Sequence, residues 1–338
     1  MPSSTSPFER RARGPAVLLL VSALLALLLA AGYTLRLNPE IRLYRYAAHV
    51  KQAWAARLDR DFTNKVIVFG GSATSFAIDP ARILERDGLP VVNFGLHAGM
   101  GAEFLTGFAA AAARPGDLLL MAIEPELLLS RGSDSDLAAQ IGFALGHPEW
   151  IDASNVTGEP VHWVADLVSL RPGAYHVFTL LGKIALRRPL YRYHPDDFTP
   201  SGWQRTRERR AFGEPGRYRV SLSPKAHRLL AALRDWAKAR HIRVAYLLPW
   251  RYAGPDYVRG FQEDNLRYLI QIAEYLPVLA DERLGAYPVR EHFADTPMHL
   301  TPAGARIRSD TLAAQLKAGR YWTRADLKRL LARYTPAR

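Results

Sequence analysis

The sequence contains no cysteine among its 338 residues. Disulfide scaffolds, thiolate-ligated zinc or iron–sulfur sites and cysteine nucleophiles are therefore excluded. The compartment stays open, because an oxidising space tolerates a protein without thiols. Glycine (24) and proline (23) are moderate and hydrophobic residues make up 49%, which excludes a disordered, collagen-like or multi-span membrane chain. The length suits one large α/β domain or two smaller domains.

Acidic residues are also scarce, with 32 Asp and Glu against 45 Lys and Arg and a formal net charge of +13. The basic surplus lies in residues 1–32, 187–219 and 317–338. It predicts contact with an anionic surface, such as phospholipid head groups or an acidic polysaccharide, or else a solvated surface without a partner. No nucleic-acid partner is expected, because the sequence has no recognisable binding module and no stacking platform of aromatic residues.

One long apolar run covers residues 16–31, and Ser22 is its only polar residue. Extended to residue 33, the run approaches the roughly 20 residues that a membrane-spanning helix needs. Three arginines precede it, and the positive-inside rule then keeps the N-terminus in the cytoplasm. A cleaved signal peptide and a buried core helix are the alternatives.

This pattern predicts two regions. Residues 1–34 would form a cytoplasmic stub and a transmembrane anchor that contacts the membrane through residues 16–33. Residues 35–338 would form the functional part. The chain is therefore expected in the inner membrane as a single-pass protein, with its bulk in the periplasm or otherwise outside the cytoplasm.

Beyond the anchor, short apolar runs alternate with helical stretches. Strands are predicted at residues 65–69, 91–94, 118–123 and 243–248, and helices near residues 101–113, 223–240, 256–275 and 301–318. This alternation predicts an α/β fold whose parallel sheet is covered by helices on both faces. Residues 127–220 contain no convincing strand and are predicted to be a mostly helical insertion with a basic segment.

Residues capable of chemistry follow the predicted strands, where the carboxyl ends of an open α/β sheet place a site. Ser72 follows a glycine turn, and Gly95 ends the second strand. Asp295 and His299 share a loop just before the last predicted helix. A serine nucleophile, an oxyanion donor and an orienter–base pair together are the parts of a Ser-His-Asp hydrolase.

These residues resemble a known family. Gly70-Gly71-Ser72, Asn93-Phe94-Gly95 and Asp295…His299…Gly304 look like the first, second and fifth blocks of the SGNH, or GDSL-type, hydrolases. The resemblance covers the framework of residues 64–126 and 222–318. It is closest to the membrane-anchored extracytoplasmic branch, which includes proteins that acetylate alginate and cellulose or D-alanylate teichoic acid. It implies a three-layer, flavodoxin-like sheet with helices on both faces.

The resemblance also implies roles for individual residues. Ser72 would be the nucleophile, His299 the base and Asp295 its orienter, and the backbone amides of Ser72 and Gly95 would be the oxyanion donors. No cofactor and no metal are expected. The implied activity is that of a serine-dependent acyl esterase or O-acyltransferase acting on acetyl or similar groups of a cell-envelope polysaccharide. Its partner would be that polysaccharide or an acyl-carrying membrane protein.

Three departures keep a second hypothesis open. Gly71 stands where the family has its name-giving Asp, and Glu124 lies in the block that should supply an oxyanion Asn. Asp295 and His299 are four positions apart instead of three. A non-catalytic SGNH-like assembly or carrier protein of an envelope polysaccharide pathway is therefore the alternative.

Individual residues also have alternative interpretations. Ser72 could be a turn or cap residue, and Ser75 is a less favoured nucleophile. His97 is more simply structural, and Glu124 is either a site residue or a solvated carboxylate at a strand end. A metal site formed by His292 with the two residues of the late loop is disfavoured, because no spacing places three ligands on one face.

Overall fold

A computed structural model describes residues 7–129, 141–142, 144–150, 181–206, 209–214, 216–217 and 220–334. Much of the predicted insertion, including residues 151–180, lies outside these ranges. Within the predicted insertion, residues 181–185 are helical. From there to residue 220 the described chain is mostly irregular, with one short 3-10 turn at Pro195–Asp197.

Two helices precede the sheet. Helix α1 runs from Pro7 to Gly32 and helix α2 from Pro39 to Asp61, with a π-helical turn at Tyr33–Leu37 between them. Asn38 caps α2, because its Oδ1 accepts the Glu40 amide at 2.9 Å. Among the helices of the described ranges, none combines the length and the hydropathy that a membrane crossing requires. The transmembrane part of the predicted fold is therefore unsupported.

The central sheet has six strands in the order β2-β1-β3-β4-β6-β8. They are β1 Val66–Gly70, β2 Val91–Gly95, β3 Leu118–Met121, β4 Arg243–Tyr246, β6 Val278–Leu279 and β8 Tyr321–Trp322. The pairs among the first five are parallel, and β8 runs antiparallel to β6. A separate two-stranded parallel sheet joins β5 Arg251–Tyr252 to β7 Ala286–Tyr287. The predicted α/β fold with a mostly parallel sheet is confirmed.

Both faces of the sheet are buried. Alternate residues of β1 enter different cores: Ile67 and Phe69 pack in one cluster, and Val68 packs in the other. This accounts for the continuous apolar runs of the strands, since a strand covered on both sides has no water-facing residues. The remaining helices are α3 Ser72–Ala77, α4 Pro80–Asp87, α5 Gly101–Ala110, α6 Pro125–Leu129, α7 Pro224–Ala239, α8 Val258–Ile272, α9 Pro302–Ala318 and α10 Arg324–Tyr334.

The strand order places a site at one point of the sheet. Strand β1 lies second from one edge of the sheet, between β2 and β3. The chain passes from β1 to β2 on one side and from β3 to β4 on the other. The connections that follow the adjacent strands β1 and β3 therefore diverge at their shared carboxyl edge, which opens a crevice there. Ser72 lies two residues beyond the end of β1, at this crevice.

Candidate active site

Ser72 is the first residue of helix α3, on the turn that leaves β1. The Glu124 side chain stabilises this turn through two hydrogen bonds. Its Oε2 accepts the Gly71 backbone amide at 2.9 Å, and its Oε1 accepts the Ala73 backbone amide at 3.0 Å. A Cβ on Gly71 would lie 2.5 Å from Glu124 Oε1 and 2.8 Å from the Ala98 Cα. Only glycine fits there, so position 71 could not hold an Asp.

Asn93 fixes the other end of helix α3. Its Nδ2 donates to the carbonyls of Thr74 at 3.0 Å and Ile78 at 2.7 Å, groups that a short helix leaves without partners. Its Oδ1 accepts the Gly95 amide at 2.9 Å. Asn93 is completely buried, so these bonds are shielded from water. The helix that carries Ser72 is thus held at one end by Glu124, which follows β3, and at the other by Asn93 of β2.

The structure brings Ser72, His299 and Asp295 together. His299 Nε2 lies 2.8 Å from Ser72 Oγ, across 227 positions of sequence. His299 Nδ1 lies 2.8 Å from Asp295 Oδ1. Because a carboxylate only accepts, Nδ1 carries the proton and donates to Asp295, which leaves Nε2 to accept the Ser72 hydroxyl proton. Ser72 is partly exposed, so a substrate can reach its oxygen.

The four-residue spacing of Asp295 and His299 is accommodated by the local backbone. The Ala294 amide donates to the His299 carbonyl at 2.9 Å, which closes a tight loop between them. The Thr296 hydroxyl oxygen accepts the His299 amide at 3.1 Å inside that loop. The carboxylate and the imidazole therefore emerge side by side despite the extra residue.

Two residues from the basic segment, residues 187–219, contact the second carboxylate oxygen of Asp295, Oδ2. Arg192 forms an ion pair with Oδ2, and the Tyr193 hydroxyl donates to the same oxygen at 3.1 Å. Burial disfavours ionisation of Asp295, but the hydrogen bond and charge of His299 and the charge of Arg192 outweigh it and lower its pKa to about 2. Asp295 is therefore a carboxylate throughout the ordinary pH range.

An aromatic ring packs against the imidazole. The Phe76 ring centroid lies 4.4 Å from that of His299 and 5.5 Å from that of Tyr193. Phe76 comes from the same helix as Ser72, so the helix positions both the serine and one wall around the base. Such packing restricts the imidazole to the orientation that serves both hydrogen bonds.

One of the two predicted oxyanion donors is already engaged. The Gly95 amide donates to Asn93 Oδ1, so an oxyanion would have to displace that bond to use it. The Ser72 amide has no hydrogen-bond partner within the part of the chain that the structure describes. Gly95 has a packing role instead, since a Cβ there would collide with the backbone of Ser75.

Glu124 is buried, which excludes the interpretation as a solvated carboxylate at a strand end. Burial raises its pKa to about 7, although the amides of Ala73 and Gly71 favour the charged form. Glu126, two residues further on, is more exposed and pairs with Arg251. The two carboxylates that follow β3 thus differ in environment and role.

A polar network fastens the basic segment to helix α3. The Gln204 backbone amide donates to the Ser75 carbonyl at 3.1 Å, and the Ser75 hydroxyl donates to the Gln204 side-chain oxygen Oε1 at 3.0 Å. From helix α2, the buried Lys51 ammonium donates to the carbonyls of Asn93 and Gly202. Its burial lowers the pKa of Lys51 to about 7. Ser75 is thus an anchoring residue and lies apart from the base.

The other candidates lie outside the cluster. His97 accepts the Gly99 amide on its Nδ1 at 2.9 Å and packs on Tyr44, a structural arrangement. His292 Nδ1 lies 2.8 Å from the Tyr287 hydroxyl, so it belongs to another group. Within the described ranges, no three His, Cys, Asp or Glu residues converge as a metal site would require.

Sequence reasoning missed Arg192 and Tyr193, and it left the position of Glu124 open. The first two come from an irregular segment, where no periodicity indicates which side chain faces the core. Their only visible signal is the alternation of aromatic and basic residues at 191–193.

Comparisons of the chain with family models, with curated proteins and with solved structures found no match.

Proposed function

We propose that this protein is a serine-dependent acyl esterase or O-acyltransferase, acting on acetyl or similar acyl groups of a cell-envelope polysaccharide. The observation that carries the proposal is the continuous hydrogen-bond chain from Ser72 Oγ through His299 to Asp295, with 2.8 Å at each link. A hydroxyl and a base at this distance, with the base oriented by a third group, are the requirements for an activated nucleophile.

In the first half-reaction, Ser72 Oγ attacks the acyl carbonyl while His299 Nε2 takes the hydroxyl proton. Asp295 stabilises the imidazolium that forms. The tetrahedral intermediate places its negative oxygen toward the Ser72 amide. It then collapses: the bond to the leaving alcohol breaks, the imidazolium protonates that alcohol, and the acyl group remains on Ser72.

The second half-reaction regenerates the serine. His299 takes a proton from water or from a sugar hydroxyl, and the resulting oxygen nucleophile attacks the carbonyl carbon of the acyl-serine. The bond from that carbon to Ser72 Oγ then breaks, and the imidazolium returns the proton to Ser72 Oγ. Water as acceptor releases the free acid, which is the esterase outcome. A sugar hydroxyl as acceptor forms a new ester, which is the transferase outcome.

Location outside the cytoplasm remains part of the proposal. Its support is the run of apolar side chains on helix α1 that stays exposed, among them Leu18 and Leu28. Large exposed apolar surfaces are costly in water and mark a place where something else covers them. A reporter fused after residue 338 should be active only outside the cytoplasm, and activity in the cytoplasm would remove this part.

The non-catalytic assembly or carrier role is the second candidate. It is favoured by the engaged Gly95 amide and by a carboxylate, Glu124, in the block where the family places an amide. Above about pH 7, where Glu124 is ionised, its negative charge beside the Ser72 turn opposes an oxyanion. This candidate predicts a correctly folded protein that binds an acylated glycan without cleaving its ester.

The deciding experiment combines turnover and covalent labelling of the full chain. Wild-type protein should hydrolyse 4-nitrophenyl acetate and react with a fluorophosphonate probe at Ser72. The Ser72→Ala variant should lose both, and Ser221→Ala, an exposed serine distant in sequence, should keep both. Absence of labelling and turnover in folded wild-type protein would reject the enzyme in favour of the carrier.

A further inference from the structure

A cavity of about 660 Å³ lies between the start of helix α2 and the segment 187–195. Ligand pockets commonly have volumes of roughly 300–1,000 Å³. Its wall includes Tyr193, whose hydroxyl donates to Asp295 Oδ2. The cavity and the Ser-His-Asp cluster therefore share a structural element.

The charged side chains that line the cavity are all positive. Arg42, Arg187 and Arg188 line it, and no aspartate or glutamate is among the lining residues of the described ranges. None of these three arginines forms an ion pair within the part of the chain that the structure covers. Three uncompensated guanidinium groups around one concave space attract an anion, and their planar forks match a carboxylate or a phosphate.

The remaining wall is largely apolar and includes three tyrosine rings. Tyr46, Tyr191 and Tyr193 contribute rings. The hydroxyls of Tyr191 and Tyr193 are committed, since they donate to Glu40 at 3.0 Å and to Asp295 at 3.1 Å. What these two residues offer a ligand is therefore the apolar ring. Flat apolar rings beside charged donors suit a ligand that has an apolar face as well as an anionic group.

We infer that this cavity binds an anionic saccharide, a sugar ring that carries a carboxylate or a phosphate. The CH face of the ring would lie on the tyrosines, and the anionic group would pair with the arginines. Its place as the acceptor subsite of acyl transfer rests on the proposed function. The link is physical: Tyr193 touches Asp295, and Phe76 lies between the rings of Tyr193 and His299.

Binding can be measured without any turnover. Full-length protein is titrated calorimetrically with trigalacturonate, with glucose 6-phosphate and with neutral maltotriose, at low and at high salt. The two anionic probes distinguish a carboxylate from a phosphate preference. At least one should bind, its affinity should fall as salt rises, and maltotriose should not bind measurably.

Arg42→Gln and Arg188→Gln should each weaken binding of the preferred probe about tenfold or more, the range of a lost hydrogen bond between charged groups. Both arginines are exposed, so neither substitution should unfold the protein. The matched control is Arg228→Gln, an exposed arginine on helix α7 outside the cavity, which should bind as wild type does.

Phosphatidylglycerol vesicles are titrated in parallel. Three results would overturn the inference: equal binding of maltotriose, unchanged affinity in both cavity variants, or binding to the vesicles but to neither anionic saccharide. Hydrolysis of 4-nitrophenyl acetate is followed on the same samples. Saccharide binding without hydrolysis would reject the proposed function and keep the cavity assignment. Hydrolysis without saccharide binding would reject the cavity assignment and keep the proposed function.

Discussion

Arg192 pairs with the one carboxylate oxygen of Asp295 that His299 does not use. Asp295 therefore faces two cationic groups once the imidazole is protonated, and only one of them takes part in proton transfer. The guanidinium offsets part of the negative charge that stabilises the imidazolium. The hydroxyls of Tyr193 and Ser72 also contact this pair.

Arg192→Gln should raise the pKa of Asp295. The charge of Arg192 is one of the interactions that lower this pKa to about 2, and the hydrogen bond and charge of His299 remain in the variant. Arg192→Lys keeps the charge and should leave the pKa of Asp295 near its wild-type position. The measurement is an NMR titration of the Asp295 carboxyl carbon. An unmoved pKa in Arg192→Gln would mean that the arginine only supports the loop.

Ser72→Ala and His299→Ala should each reduce kcat by about a thousandfold or more, and the double variant should be no slower than either single variant. The two residues act as one unit, so losing one removes the contribution of both. Steady-state kinetics of the three variants gives the comparison. Multiplicative losses would show that the two residues act independently, and the hydrogen bond between them would then have no catalytic meaning.

Glu124 should make the protein less stable as pH rises from about 4.5 to about 7. The folded state keeps the Glu124 proton up to about pH 7, whereas the unfolded chain releases it near 4.5. The folded state thus binds more protons in this window, and the free energy of unfolding falls there by up to about 3 kcal/mol.

Urea unfolding at several pH values tests this slope. Glu124→Gln should remove the decrease between pH 4.5 and 7, and Glu126→Gln should retain it because that neighbouring carboxylate is more exposed. Parallel pH curves for wild type and Glu124→Gln would contradict the assignment. Glu124→Gln should also slow ester hydrolysis, since its amide nitrogen cannot accept an amide hydrogen from Gly71 or Ala73.

Lys51 should have the opposite effect in a higher window. Its pKa falls from 10.5 to about 7 on burial, so the unfolded chain binds more protons between these values. The free energy of unfolding should therefore rise above pH 7, by roughly 2 kcal/mol at pH 9. Lys51→Met should lack this rise, and Lys238→Met, an exposed lysine on α7, should keep it. The same rise in both variants would assign it to other groups.

The sequence was informative where a residue's role depends on its neighbours in the chain. Apolar runs located β1 to β4 to within about two residues, because a doubly covered strand needs continuous apolar residues. Ser72, Asp295 and His299 were found together because each follows or precedes a recognisable turn. The two-residue strands β5 to β8 were missed, since so few residues carry no period.

The sequence did not indicate which side chains contact the second carboxylate oxygen of Asp295 and the backbone of the Ser72 turn. Arg192 reaches Asp295 across 103 positions from an irregular segment, and Glu124 reaches Gly71 across 53 positions. Nothing in the local sequence selects one arginine from the many in the basic segment. Likewise, the amide of Gly95 was a plausible oxyanion donor until the fold placed Asn93 Oδ1 against it.

The separation of Ser72 from His299 has a consequence for biosynthesis. Ser72 belongs to the first strand–helix unit of the sheet, whereas the base lies 227 positions further along. Chains are made from the N-terminus, and contacts between distant residues form late. For most of its synthesis the nascent protein therefore carries an ordinary serine hydroxyl with no base beside it. Truncated chains that end before residue 299 should be chemically inert toward esters.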